Sequence, residues 1–326
     1  MDQQSLLLGK SIKEKILENF LEYLKIFTPF QSEFLSVLYK RYKCLDSANL
    51  VLYFAKKTHQ EILRKKEYDL DYDLSFEKFW ENHSAVTISR STIMDIAKEV
   101  NLPKETARRK LSELIKQKVL SKRNRSIFWL PSYEYKQSYN QVVSEEIKQL
   151  GKLTKYVTDS INLNISREEI DTEYRKRFSF YWFHYLDLQT KWMRMWKSRM
   201  NDLELVLMFM QIATLLTSRV KEDVSHNQLF SKPEMLRNPG EASVSISATS
   251  ISDVTGIPRA TCIRKLNQMT RLKLVTQNKN SKRYFIVPEA LSKKLVSKDL
   301  TENVIELFSN FYFICIKAIN SKLKTN

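Results

Sequence analysis

One sequence pattern occurs twice in the chain and decides the predicted fold. Pro103–Leu111 reads PKETARRKL, and Pro258–Leu266 reads PRATCIRKL. The proline suits the first turn of an α-helix, where its missing N–H group costs no hydrogen bond. Apolar residues then recur at spacings of three and four, the period of a helix with one buried face. The pattern predicts two amphipathic helices, at about 103–118 and about 258–272.

The same elements surround both predicted helices. A short helix and a turn precede each one, and two short strands around a polar turn follow it. In the first copy these are helix 91–99, turn 100–102 and strands 120–123 and 127–130; in the second they are helix 249–255, the turn at Gly256 and strands 274–277 and 283–287. This order of elements predicts a winged helix-turn-helix module in each copy.

Weaker similarity extends outward from the two modules. Val86–Ile88 matches Val244–Ile246 at an offset of 158 residues, which becomes 155 from Pro103 onward. Flanking helices are predicted at 12–27, 31–43, 47–66 and 140–163 in the first copy and at 170–198, 202–221 and 300–322 in the second, with polar linkers at 67–85 and 222–243. The chain is therefore predicted to be mainly α, with a tandem duplication: residues 1–165 with a winged helix at about 86–131, and residues 166–326 with a winged helix at about 244–288.

Positive charge is concentrated in the two modules. The 326 residues include 54 Lys and Arg and 37 Asp and Glu, which gives a net charge of +17. Residues 101–130 carry +7 and residues 256–285 carry +8, so the rest of the chain is nearly balanced. Two focused basic patches are the electrostatic footprint of a polyanionic ligand.

Composition also argues against several classes of protein. The chain has four glycines, too widely spaced for a phosphate-binding loop, and three distant cysteines that predict neither a disulfide framework nor a zinc site. Its four histidines are scattered, so we expect no enzyme, no metal and no cofactor. Met1–Lys10 lacks the pattern of a signal peptide, and the apolar stretch Leu203–Leu216 is too short and polar to span a bilayer. We therefore expect a cytoplasmic, nucleoid-associated protein without membrane contact.

The modules resemble the winged helix-turn-helix of bacterial transcription regulators. The matching positions of the first copy are Ile96, Ala97, Leu102, Thr106, Arg109, Leu111, Leu114, Val119 and Leu120. The helices before and after each module look most like the arrangement of the MarR family. The resemblance implies that one chain supplies a built-in pseudo-dimer, whose two recognition helices would read half-sites about one helical turn of duplex DNA apart. Both a monomeric pseudo-dimer and a homodimer remain open.

The predicted function is sequence-specific binding of double-stranded DNA for transcription regulation. A helix fits the major groove, where its first turns reach base edges, while a basic hairpin binds phosphates. The predicted base-reading residues are Lys104, Thr106, Arg108, Arg109, Arg259, Thr261 and Arg264. The predicted phosphate-binding residues of the wings are Lys122, Arg123, Arg125, Lys279, Lys282 and Arg283. The faces of the two helices differ, so we expect an asymmetric site.

Two other functions remain open at this stage. A plasmid or phage replication initiator also uses tandem winged helices, and clustered direct repeats in its DNA site would indicate it. A protein-interaction scaffold would show no salt-sensitive affinity for DNA.

Three further features have alternative interpretations. The aromatic run 178–196 is interpreted as core and interface, with a small-molecule effector pocket using His184 or Tyr185 as the alternative. The spacing of Asp69, Asp71 and Asp73 resembles the start of a calcium loop, but Leu74 stands where that loop needs glycine, so a surface loop is expected. Cys262 is expected to be a small core residue, with redox sensing as the alternative.

Overall fold

Helices make up most of the described structure. The structure, a computed structural model, describes residues 3–86, 91–123, 126–220, 224–232, 244–287 and 296–323. The helices are α1 (Gln3–Glu18), α2 (Phe20–Tyr42), α3 (Leu45–Tyr68), α4 (Phe79–Ala85), α5 (Ile93–Glu99), α6 (Lys104–Lys116), α7 (Tyr133–Ser160), α8 (Arg167–Lys176), α9 (Phe178–Met200), α10 (Leu203–Thr217), α11 (His226–Ser231), α12 (Ala248–Thr255), α13 (Arg259–Arg271) and α14 (Lys298–Leu323). The strands are β1 (Ser121–Arg123), β2 (Ser126–Phe128), β3 (Val275–Gln277) and β4 (Tyr284–Ile286). The prediction of a mainly helical chain is confirmed.

The chain divides into two compact units. Unit one consists of Met1–Leu45 and Trp196–Asn310, and unit two consists of Asp46–Met195 and Phe311–Asn326. Each unit therefore contains elements from both halves of the sequence: unit one joins α1 and α2 to the second helix–helix–hairpin segment. The predicted division into the repeats 1–165 and 166–326 does not coincide with these compact units, and the duplication stays a prediction.

Helices α2 and α9, which lie at equivalent positions of the two predicted repeats, have matching lengths. Helices α2 and α9 are both 23 residues long, and they begin 158 positions apart. Lys43 and Asn201 follow them in the left-handed conformation, again 158 positions apart. The expected single helix at 12–27 is instead interrupted at Asn19, and the expected helix at 170–198 is interrupted at Arg177.

The expected break between helices 12–27 and 31–43 does not occur, because α2 runs through it. Pro29 would favour a helix end there, since proline removes one helical hydrogen bond. Instead Pro29 lies inside α2, whose flanking residues Phe27 and Phe30 are buried in unit one. Packing of this face stabilises the helix by more than the lost bond costs.

The core of unit one is built on the pairing of α2 with α10. The hydroxyl oxygens of Thr28 and Thr217 lie 3.2 Å apart in this interface, and Phe27 meets Phe308 edge to face with ring centroids 4.7 Å apart. All the buried residues of α10 except Thr217 are apolar.

No single helix among the described residues is long and apolar enough to cross a membrane, although α9 and α10 meet that test as a pair bent by 98°.

An aromatic cluster forms much of the core of unit two. The linker 67–85, expected to be polar throughout, contains α4, whose Phe79 is fully buried. Phe79 stacks on His59 with ring centroids 4.6 Å apart, and Nε2 of His83 donates to the carbonyl of the buried Trp129 at 2.6 Å. The prediction for this linker was wrong because acidic neighbours obscure aromatic residues spaced at helical intervals.

Candidate functional site

The helix–turn–helix parts of the two helix–helix–hairpin segments match at an offset of 155. Thr92 and Ser247 cap α5 and α12 by accepting hydrogen bonds from backbone N–H groups in the first turn. Asn101 and Gly256 follow these helices with positive φ angles of 52° and 76°. The offset of 158 predicted before Pro103 is therefore wrong for helices α5 and α12, which need no three-residue gap.

The turn between the two helices of each segment contains a residue with a positive φ angle. Gly256 confirms the predicted turn, and a Cβ atom there would lie 2.9 Å from Cγ of Lys40. Pro103 and Pro258 follow as the N-cap residues of α6 and α13, so each helix begins one residue later than predicted. Their extended ψ angles turn the chain into the second helix of each segment.

Helix α6 exposes most of the cations assigned to it. Ala107, Leu111 and Leu114 are buried, so the opposite face carries the predicted residues. Lys104, Arg108 and Arg109 are exposed, and Thr106 is half-buried. Glutamates pair with both arginines: Arg108 lies 2.5 Å from Glu105, and Arg109 lies 2.8 Å from Glu113.

Helix α13 has the same division of faces and a different charge balance. Cys262, Leu266 and Met269 are buried, while Arg259 and Arg264 are exposed and Thr261 is half-buried. The helix contains no acidic residue. Arg259 donates from Nε to the hydroxyl of Thr249 at 3.1 Å, which joins the first turn of α13 to α12.

One lysine in each of these helices points inward. Lys110 is 8% exposed and Lys265 is 6% exposed. The ammonium of Lys265 binds the carboxylate of Asp202 and lies 3.9 Å from the carboxylate of Glu204. These two lysines add to the charge of the sequence patches, but they do not contribute to the exposed faces.

The two carboxylates beside Lys265 are held at the start of α10. Asp202 accepts from the backbone N–H groups of Glu204 and Leu205 at 3.0 and 3.2 Å. Glu204 accepts from the N–H of Leu45 at 3.1 Å. Burial, followed by the neighbouring Asp202, raises the pKa of Glu204. The cluster ties α13 to α10 through charges that are largely removed from water.

The two hairpins differ in length. In the first, Arg123 pairs with Ser126, so the turn holds two residues; Lys122 is exposed, while the side chain of Arg123 and all of Arg125 lie outside the described residues. In the second, Gln277 pairs with Tyr284. Lys279 and Lys282 are exposed in the longer turn of this hairpin.

Arg283 has a structural position that the sequence did not indicate. Its guanidinium donates to the carbonyl of Ser245 from Nε at 3.0 Å and from Nη2 at 2.6 Å. Ile246 and Tyr284 form the adjoining β-bridge. Arg283 therefore fastens the segment before α12 to the start of β4, and its side chain is half-buried.

A second charge cluster, which is half-buried, supports the first segment. Lys56 of α3 lies 2.9 Å from Glu99 at the end of α5 and 3.2 Å from Asp187 of α9. It links α5 to two helices of unit two, as Lys265 links α13 to α10 in unit one. Sequence reasoning missed both clusters, because the partners are far apart along the chain; only the capping tendency of Asp202 was a local signal.

Tyr185, His184 and Cys262, the other residues that the sequence singled out, differ in burial. Tyr185 is fully buried and donates its hydroxyl to Glu146, and its neighbours in the part of the aromatic run inside unit two are largely buried, which confirms the core interpretation there. His184 is half-buried. Burial raises the pKa of Cys262 to about 11, so this thiol stays protonated at neutral pH.

The acidic loop at 69–75 is stabilised by hydrogen bonds from its own backbone to its aspartate side chains. Asp69 and Asp73 accept from the N–H groups of Asp71 and Ser75 at 3.1 and 2.7 Å. Within the described residues, no three histidine, cysteine or carboxylate side chains are grouped to hold a metal ion.

No family model matches the chain, and no curated protein and no solved structure is significantly similar to it.

Proposed function

We propose that this protein binds double-stranded DNA sequence-specifically and acts as a transcription regulator. Two winged helix-turn-helix modules, at residues 92–128 and 244–287, would contact the DNA. The observation that carries the proposal is the twofold occurrence of one geometry: an amphipathic helix with outward cations, preceded by a capped helix and a left-handed turn and followed by a hairpin with exposed lysines.

The exposed faces suit the two parts of a DNA duplex. An α-helix fits the major groove, and arginine and threonine in its first turns reach base edges. Backbone N–H groups at the helix start and lysines of a hairpin suit phosphates. In this proposal α6 and α13 are the recognition helices, and Lys122, Lys279 and Lys282 lie in the wings.

Internal duplication is part of the proposal. The shared 155-residue offset of caps, left-handed residues and buried lysines supports it, as do the equal lengths of α2 and α9. Two related but unequal recognition helices would bind two unlike half-sites. A DNA-binding regulator of this kind would have no catalytic activity and would work in the cytoplasm on the nucleoid.

The test measures duplex affinity as a function of salt. Fluorescence anisotropy should show that log K falls linearly with log salt between about 50 and 200 mM, with a slope of about −0.9 for each phosphate neutralised. Lys279→Ala should reduce the magnitude of this slope by about 0.9, the contribution of one phosphate contact. Lys10→Ala should leave the slope unchanged, since Lys10 is 73% exposed on α1 outside both modules.

The base-reading role needs a separate variant. Arg264→Ala should cost about 1–3 kcal/mol and relax one base position, whereas Lys279→Ala should weaken binding to all sequences alike. A chain that shows no salt-dependent affinity for duplex DNA would overturn the proposal and leave a protein-interaction scaffold as the better account.

A further inference from the structure

The two proposed recognition helices present different chemistry at equivalent positions. At the 155-residue offset, the exposed Glu105 corresponds to the exposed Ala260, and Arg108 corresponds to the half-buried Ile263. Thr106 and Arg109 of α6 have the same residue type at their equivalents in α13. The differences therefore lie on the face that the proposed function turns toward the bases.

Glu105 is an unusual residue for a surface that approaches phosphates. Its side chain is 68% exposed in the first turn of α6 and ion-paired with Arg108. Phosphate repulsion penalises a carboxylate in the major groove unless it accepts a hydrogen bond there. Among the base edges in the groove, the N4 amino group of cytosine is the donor that suits a carboxylate, while guanine O6 and N7 suit the neighbouring arginine.

The equivalent surface of α13 lacks these groups. Ala260 and Ile263 offer methyl groups, which make apolar contacts with the C5-methyl of thymine. Asn267, exposed one turn further along, has the amide that bonds adenine N6 and N7 together. Ser112 stands at the equivalent position of α6, where its hydroxyl donates to the carbonyl of Arg108 at 3.0 Å.

We infer that the two modules read half-sites of opposite composition: Glu105 and Arg108 select a G·C-rich half-site, and Ala260, Ile263 and Asn267 select an A·T-rich one. This inference rests on the proposed function. Glu105 is then a specificity-determining residue that lowers affinity for every sequence without cytosine at its position. The pairing of Glu105 with Arg108 also orients the arginine toward the neighbouring base pair.

Selection of bound duplexes from a random library tests the assignment with exchanged residues. The wild-type chain should recover one half-site with an invariant C·G pair. Glu105→Ala should lose the preference for that pair by about tenfold, while the other half-site stays unchanged. Ala260→Glu should add a C·G preference of similar size to the A·T-rich half-site.

The controls separate this inference from the proposed function. Glu14→Ala removes another exposed carboxylate, 55% exposed on α1 outside both modules, and should leave the recovered motif unchanged. If Glu105→Ala recovers the wild-type motif unaltered, the role of Glu105 is refuted while DNA binding stands. If the wild-type chain recovers no motif at all, the proposed function fails as well.

Discussion

Replacing Lys265 with methionine tests whether this buried lysine anchors α13, the second proposed recognition helix. Methionine keeps most of the apolar stem and removes the charge. Asp202 and Glu204 would then share a buried site without their cation. Removing one partner of a buried ion pair costs about 3–5 kcal/mol. The cost should fall near the lower end, because the raised pKa of Glu204 lets it take up a proton.

Urea unfolding followed by circular dichroism measures this loss at pH 7. Lys265→Met should lower the unfolding free energy of the transition that involves unit one by about 3 kcal/mol. Lys265→Met combined with Asp202→Asn and Glu204→Gln should recover part of the loss, since no uncompensated charge remains. Lys279→Ala is the matched control, because Lys279 is exposed in the turn of the second hairpin and its removal should change stability by less than about 0.5 kcal/mol.

DNA binding distinguishes an anchoring lysine from one that contacts phosphate. Lys265→Met should weaken sequence discrimination while leaving the slope of log K against log salt unchanged. Lys279→Ala should reduce that slope by about 0.9. A stability loss below about 0.5 kcal/mol, or a reduced salt slope for Lys265→Met, would refute the anchoring argument.

Three other perturbations have defined outcomes. Burial lowers the pKa of His83 to about 4, so neutral His83 contributes fully above about pH 6.5 and should lose about 3 kcal/mol of that contribution between there and pH 4. Urea unfolding against pH should show this loss in unit two, and His83→Gln should reduce it without abolishing it, because burial also lowers the pKa of His59. Arg283→Ala should speed amide hydrogen exchange at Tyr284, whose N–H closes the β-bridge; unchanged exchange would contradict the structural role. Gly256→Ala should cost about 1–2 kcal/mol in thermal unfolding because of its φ of 76°, whereas Asn101→Gly at the equivalent position should be close to neutral.

Local signals predicted the helices of both helix–helix–hairpin segments well. The periodic apolar residues of Lys104–Lys116 and Arg259–Arg271 located these helices to within one or two residues. The continuity of α2 across the expected break at 28–30 was not predictable, because packing of the buried Phe27 and Phe30 stabilises the helix around Pro29. Helix α4 was missed for a similar reason, because side chains that cover Phe79, such as Phe178, are distant from it in the sequence of unit two.

The candidate site was only partly predictable. The exposure of Arg109 and Arg264 follows from the spacing of their buried neighbours on each helix. The inward position of Lys265 does not, because its partner Asp202 lies 63 residues away along the chain. Arg283 likewise binds a carbonyl 38 residues away. Charge counting alone therefore overstates the exposed positive charge of each module.

The most direct test of DNA binding is the selection of bound duplexes from a random library at low and high salt. The account predicts a recovered motif of two unlike half-sites, with binding that weakens steeply as salt rises. Steep salt dependence without a motif would contradict sequence-specific regulation and indicate a non-specific, architectural role. Absence of binding at low salt would contradict the assignment of α6 and α13 as recognition helices altogether.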